Sequence, residues 1–423
     1  MDKKTLVALY VVVFVAEIGL GIVSPLMPLY AESMGASGLQ LGIMFSSYAF
    51  ARVIFTPLVG RLSDVKDRKN FIAIGLLAYT IISLFYVWAP NIVALSLVRL
   101  FHGFASCAVI PVALAYVGDL TPKGKEGTYI NLFSTSMFLG MGFGPVLGGV
   151  LTEYFNMNTA FYGMATVCSL ALYSLLRFVP AMEPCSRVDS KSTVTAFTSL
   201  IRDRRVQAAS IFRFSRAFYR RSIKCFLPLL AITTLHMNPA SIGVVISAYL
   251  LAGGGLQGFM SPLFDRSNKV ALIAICSIIG PALLLLIPYV SSGEILLAIL
   301  LPTALLGAVA RGAMLAINVE TGKHHNGMGT VMSIFIGSGS LGMMTGPIAF
   351  GYIVDMFGLN SVFVGSAAIG IIGGLITTYL LIKGVAVAEE QTLSRVTPWI
   401  SEDHQNGHDI LPPAMTGHGT SWQ

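Results

Sequence analysis

The sequence predicts an all-α integral membrane protein of about twelve transmembrane helices, arranged as two parallel six-helix repeats. Three observations lead there. Only 11% of the residues are charged and 55% are hydrophobic, against about 25% charged in an ordinary soluble domain, so the chain has too little polar surface to face water. Apolar runs long enough to cross a bilayer recur from end to end, and they lack the period of two that a membrane β-barrel requires. Finally, one half of the chain recurs in the other. Gly42, Ser46, Tyr48 and Asp64 return 201 positions later as Gly243, Ser247, Tyr249 and Asp265. Gly140, Gly144, Pro145, Gly149, Phe155, Asn158 and Phe161 return 202 positions later as Gly342, Gly346, Pro347, Gly351, Phe357, Asn360 and Phe363.

The first run, 5–30, follows Lys3 and Lys4 and starts like a signal peptide. It continues past the usual run of about 7–15 apolar residues and shows no small-residue cleavage site, so it reads as a retained span. Runs at 39–62, 71–90, 91–118, 128–152 and 159–180 complete a first half, 1–180. A polar linker, 181–207, separates it from the second half, 208–384, with runs at 208–235, 240–264, 269–290, 294–319, 327–353 and 360–382. The tail, 385–423, contains "LPPAMTGHG" and reads as disordered.

Placing the N-terminus in the cytoplasm puts Lys66, Arg68, Lys69, Lys123, Lys125, Arg187, Lys191, Arg202, Arg204, Arg205, Arg266, Lys269 and Lys323 in loops on one side. The opposite loops hold Glu32, Glu153, Glu294 and Asp355 and no Lys or Arg. Positive charge stays inside, so both termini are expected to be cytoplasmic, in a plasma (inner) membrane. The net charge of +7 then reflects topology and basic loops beside an anionic leaflet, not nucleic-acid binding.

"GRLSDVKDRK", Gly60 to Lys69, falls between the second and third spans and resembles the signature loop of the major facilitator superfamily through Gly60, Leu62, Asp64, Arg68 and Lys69. Val65 and Asp67 stand where that family usually has Arg and Gly. "SPLFDRSNK" is a degenerate second copy, with Asp265 and Arg266. Such a loop can act as a charge latch, Asp64 meeting a facing helix start while Arg68 pairs with acids; for Lys69 a solvated turn is the simpler reading. "RLFHGFAS" resembles the family's Arg-x-x-Gln-Gly motif, with His102 in the Gln position, and implies a part for Arg99 in proton coupling. "GMGFGPVLGG" in the fifth span, with Gly140, Gly144, Pro145, Gly148 and Gly149, resembles an element of proton-coupled exporters. Its glycines permit close helix approach and Pro145 permits a kink. The near copy "GMMTGPIAFG", with Gly346 and Pro347, leaves open that both are simply kinked interface helices. The resemblance covers about residues 5–384.

Enzymatic readings fall away. "GSGSLG", 337–342, lies inside an apolar helix without the preceding strand that a dinucleotide site needs, and no nucleotide-binding Gly-x-x-x-x-Gly-Lys-Ser/Thr loop exists. The five cysteines have no paired spacing, and His324 and His325 read as solvated. No cofactor or metal is expected, and a monomer is the default.

The stretch "FRFSRAFYRRSIKCFLPLL", 212–230, carries the main functional signal. Aligning Pro28 with Pro228 puts it inside the seventh span. Arg213, Arg220 and Lys224 then fall on one helical stripe with Arg216 beside it, over about 16 Å of rise. Facing lipid would cost about 2.5–3.5 kcal/mol per charge, whereas an interfacial helix would leave too few residues to cross. A water-filled cavity fits best. Glu17, Arg99 and Arg311 lie in the first, fourth and tenth spans, which line the central path in proteins the chain resembles; Arg52 in the second is a partner for Glu17 or reaches the path from the side. Glu17 is expected within about 5 Å of the depth of Arg220, while Arg221, turned about 80° from the stripe, is the internal control, expected to matter less to binding.

With no nucleotide site, an ion or substrate gradient must supply the energy, and Glu17 is the natural proton carrier. So basic a path attracts anions and repels lipophilic cations. The leading expectation is a proton-linked exporter of an amphipathic or anionic organic compound working by alternating access. An importer or exchanger of organic anions without proton movement is the alternative, and a non-transporting sensor or scaffold a third.

Overall fold

A computed structural model describes residues 3–122, 126–180, 200, 202–255, 268–324 and 328–403. Every regular element among them is helical. The first half comprises α1 (Lys3–Val23), α2 (Met27–Ser33), α3 (Gly38–Val65), α4 (Arg68–Trp88), α5 (Ile92–Leu120), α6 (Glu126–Tyr154) and α7 (Met157–Phe178). The second comprises α8 (Arg204–Thr233), α9 (Pro239–Gly255), α10 (Lys269–Ala282) with its 3-10 extension Leu283–Tyr289, α11 (Gly293–His324), α12 (Met328–Phe357) and α13 (Ser361–Asp403).

Local chemistry sets the breaks. Between α1 and α2, Pro25 has no N–H to donate, and the chain tightens so that Leu26 N–H bonds to Val23 at 3.1 Å. Asn91 and Asn156 cap α5 and α7, Asp67 and Asp203 cap α4 and α8, and a Ser37–Gln40 capping box opens α3.

Ten helical segments are long and apolar enough to cross a membrane, α1–α2 and α10 with its extension each counting as one. The other two spans are the 17-residue α9 and the 30-residue α8, whose basic residues keep it from scoring as apolar. The described residues thus give the twelve spans expected, and 212–230 lies wholly within α8. α4 shows the outward face: Ile74, Leu77, Ile81, Phe85 and Trp88, spaced three and four apart, are all exposed, the pattern of a helix facing lipid. This is a multi-pass membrane protein. The helix that ends the second half continues to Asp403, past the 384 boundary set from sequence. Most of the linker, and Asp265 and Arg266 with it, lies outside the described residues.

Within each half, the glycine-rich helix packs on the helix that opens that half. Gly140, Gly144 and Gly148 lie against the backbone of α1 at Phe14, Gly21 and Ile22, and Gly342 and Gly346 lie against α8 at Phe214 and Phe218. α6 and α12 both run on through their prolines, Pro145 and Pro347.

The halves meet at the end of the bundle away from the termini. Glu153 of α6 accepts hydrogen bonds from Ala240 N–H (3.0 Å) and Asn238 Nδ2 (3.1 Å) at the start of α9. Asp355 of α12, 202 positions later, accepts from Gly38 N–H (2.6 Å) and Leu39 N–H (2.9 Å) at the start of α3. A carboxylate there satisfies unpaired N–H groups and meets the positive end of the helix dipole. Further in, Gly42 lies on the carbonyl of Pro347 and Gly243 on that of Pro145, and neither leaves room for a Cβ. Both contacts are exchanged between halves in the register of the sequence repeat.

Candidate functional site

Three helices of the first half bring its charged residues together. Glu17 on α1 is 5% exposed, with its Cβ only 2.8 Å from where a side chain at Gly140 would begin, so glycine at 140 makes room for it. Arg52 on α3 lies over the Tyr48 ring at 5.9 Å and acts electrostatically on Glu17. Arg99 on α5, also 5% exposed, sits between the rings of Phe45 (5.2 Å) and Tyr86 (5.7 Å) with Nε and Nη2 lacking a hydrogen-bond acceptor. His102, fully buried, holds its Nδ1 at 2.8 Å from the Tyr86 hydroxyl while its Nε2 has no partner. Tyr48 and Tyr79 meet the imidazole edge-on.

α8 and α11 supply the charges of the second half. Arg213 lies over Phe335 at 5.4 Å, and Arg220 donates from Nε to the Tyr249 hydroxyl at 3.3 Å while covering its ring. Arg311 donates from Nη2 to the Gly253 carbonyl at 2.8 Å and reaches across to Phe138 of α6 at 5.3 Å. It lies within electrostatic reach of Arg213, Arg216 and Arg220. Lys224 does the same for Glu17, Arg220, Arg221 and Arg311. The α8 cation that acts on Glu17 is Lys224.

Though Arg221 is turned from the stripe, its guanidinium lies over Phe45 (5.8 Å) and Tyr48 (5.7 Å) of the first half, beside Arg52 and Arg99. An 80° turn from the stripe carries it from one half to the other, because α8 stands at the boundary and both of its flanks face protein. The consecutive residues Arg220 and Arg221 thus rest on Tyr249 and Tyr48, which the 201-residue offset relates. That relation was the signal available in the sequence.

At the end with the termini, Arg68 pairs with Asp64 at 3.0 Å and with Asp119 of α5 at 2.7 Å, and Lys69 donates to the Leu176 carbonyl at 3.2 Å. All these partners belong to the first half. Asp64, at the end of α3, is engaged there by Arg68 at the start of α4, and Gly60 looks onto open space. The acids that do bridge the halves, Glu153 and Asp355, are at the other end.

The arrangement is a charged and aromatic lining between two helix bundles. Among the described residues Glu17 is the one acid in the buried set, within electrostatic reach of Arg52 and Lys224, while Arg99, Arg213, Arg216, Arg220, Arg221 and Arg311 add further positive charge. The positive field favours anions, and the rings under the guanidinium groups offset part of the burial cost through cation–π contacts of about 0.5–2 kcal/mol.

The family profile described as Major Facilitator Superfamily matches residues 9–219 and again 209–402. An uncharacterized MFS-type transporter of Methanocaldococcus jannaschii is 27% identical over 388 residues, covering 90% of this chain and 99% of that one. Multidrug resistance protein 1 of Bacillus subtilis is 24% identical over 365 residues, covering 84% and 92%. Among solved structures, a bacterial homolog of the human lysosomal transporter Spinster, in an inward-facing and unoccupied conformation, superposes with a TM-score of 0.76 at 13% identity, covering 91% of this chain and 99% of that one.

Proposed function

The chain belongs to the major facilitator superfamily, and we propose that it exports an amphipathic or anionic organic compound by alternating access, driven by protons. Members of this family are transporters and not enzymes. One observation carries the reading of the cargo: beside the one buried carboxylate among the described residues, Glu17, stand the buried Arg99 and Arg216 and the half-buried Arg52, Arg213, Arg220, Arg221, Lys224 and Arg311. A buried charge without a partner is costly, so a path that keeps so many is best explained by a cargo that neutralises them. The similarity to a multidrug resistance protein supports export.

Glu17 carries the coupling in this reading. It is a buried carboxylate without an ion pair within 4 Å among the described residues, with Arg52 on one side and Lys224 on the other. Proton binding changes the balance with these cations, and so changes which arrangement of the halves is favoured. With the termini cytoplasmic, the closed end faces outward, and the Glu153 and Asp355 contacts hold that outer end shut.

The test is flux in proteoliposomes under an imposed pH gradient, with a panel of fluorescent organic carboxylates. Glu17→Gln is expected to abolish gradient-driven accumulation and leave downhill exchange measurable. Should the variant still concentrate the dye, Glu17 only balances charge and does not carry the proton; dye exchange by the wild type that ignores the pH gradient would instead favour an anion exchanger. The same basic lining would serve that second reading.

A further inference from the structure

We infer that Arg213, Arg216, Arg220 and Arg311 form a preorganised subsite for a doubly charged oxyanion head, such as a phosphate monoester. The inference rests on the anionic-cargo reading above and adds the valence of the head and the residues that hold it.

Each of the three α8 arginines lies in a notch left by a glycine on a different helix. Arg216 lies flat on Gly307 of α11: a Cβ there would stand 2.5 Å from Nη1, 2.6 Å from Nη2 and 2.9 Å from Cζ. Arg213 fits against Gly339 of α12, where a Cβ would meet Nε at 2.5 Å and Cγ at 2.9 Å. Arg220 lies by Gly253 of α9, with Nη2 at 3.2 Å from the Cβ position. Gly253 also offers its carbonyl to Arg311. Three glycines on three helices thus set where the arginine heads can lie, and any side chain at 307 or 339 would displace one. Long side chains normally lose rotamer freedom when a ligand is bound; here much of that loss is already met in the fold.

Beyond the bonds of Arg220 to Tyr249 and of Arg311 to Gly253, donors are left over. Nε of Arg213 and Nε of Arg311 are buried without a hydrogen-bond partner, and among the described residues no carboxylate pairs with any of the four. Arg216 is only 7% exposed. A monovalent head would neutralise one of four mutually repelling charges. A phosphate monoester brings close to two negative charges at neutral pH and three terminal oxygens, and so can accept forked donation from more than one guanidinium. Phe138, Phe335 and Tyr249, which lie under Arg311, Arg213 and Arg220, leave aromatic surface beside the head for an apolar body.

The experiment is isothermal titration of the purified full chain, at pH 8, with phenyl phosphate, phthalate, benzenesulfonate and benzyltrimethylammonium, which share a ring and differ in head charge. Phenyl phosphate is expected to bind at least about tenfold more tightly than benzenesulfonate. Arg311→Lys keeps the charge and loses the fork, and is expected to shrink that ratio severalfold; Gly307→Ala is expected to do the same by displacing Arg216. The ratio is the readout because a general loss of fold would lower both affinities together. Tighter binding of phthalate than of phenyl phosphate would support a doubly charged subsite and assign it to paired carboxylates. Equal binding of phenyl phosphate and benzenesulfonate, or a ratio unchanged in both variants, would overturn the subsite and leave the anionic-cargo reading standing. Binding of benzyltrimethylammonium alone would overturn both.

Discussion

At the end away from the termini, Glu153 caps a helix of the second half and Asp355, its repeat counterpart, caps a helix of the first. Deeper in the bundle the correspondence fades: Glu17, Arg99 and His102 on one side face Arg213, Arg216, Arg220 and Arg311 on the other. The contrast separates two demands on one fold. Closing and opening a path between two rocking bundles is served by exchanged contacts of equal strength, since neither half then leads. Holding a cargo with a charged head and an apolar body needs two unlike walls. The tyrosines survive from the repeat into this region, Tyr48 beneath Arg221 and Tyr249 beneath Arg220, where a ring tolerates either wall's chemistry.

If the walls are unlike as described, the largest effect should come from the basic one. Arg216→Ala and Arg220→Ala are each expected to weaken binding of an anionic substrate by about tenfold or more, at about 1.4 kcal/mol per decade, read by titration on folded protein. The closure should respond differently, in the balance of open and closed forms. Glu153→Gln and Asp355→Asn each remove a charged helix cap worth about 0.5–2 kcal/mol, and each should raise labelling of a cysteine placed at the closed end by roughly 2- to 30-fold. The symmetry is sharpened if the two shifts match and broken if one variant is silent. Asp64→Asn, whose partner Arg68 keeps Asp119, should lower turnover by a smaller factor and leave binding unchanged. Among the arginine variants, Arg221→Ala is expected to weaken binding least, a few-fold, because its contacts are ring faces of the opposite half.

Much of this was legible in the sequence. The run 208–235 marked α8 and the repeat placed the charges of 212–230 inside it, and the offset marked Gly42, Pro145, Gly243 and Pro347 before their contacts were visible. The glycines of "GMGFGPVLGG" could be read as surfaces for close approach, but not as facing different neighbours: Gly140, Gly144 and Gly148 face α1, whereas Gly149 lies on the Pro239 carbonyl of α9. The ring contacts of Arg221 were hidden for a similar reason. A helical wheel gives direction around one axis and says nothing of what stands there, so a residue 80° from the stripe can still face the path when another bundle closes on it. The notches at Gly253, Gly307 and Gly339 were equally invisible, since each depends on a guanidinium arriving from another helix. Glu153 and Asp355 were counted only as loop acids, although their spacing fits the repeat.

The measurement that tests the central claim most directly is uptake by proteoliposomes of two fluorescent dyes of similar size, one an organic anion and one a lipophilic cation, with wild type and Arg220→Ala side by side. The charge imbalance between the halves predicts that the anion is carried, that the cation is not, and that the variant loses most of the anion flux. Transport of the cation, with the anion excluded and the variant unimpaired, would contradict it.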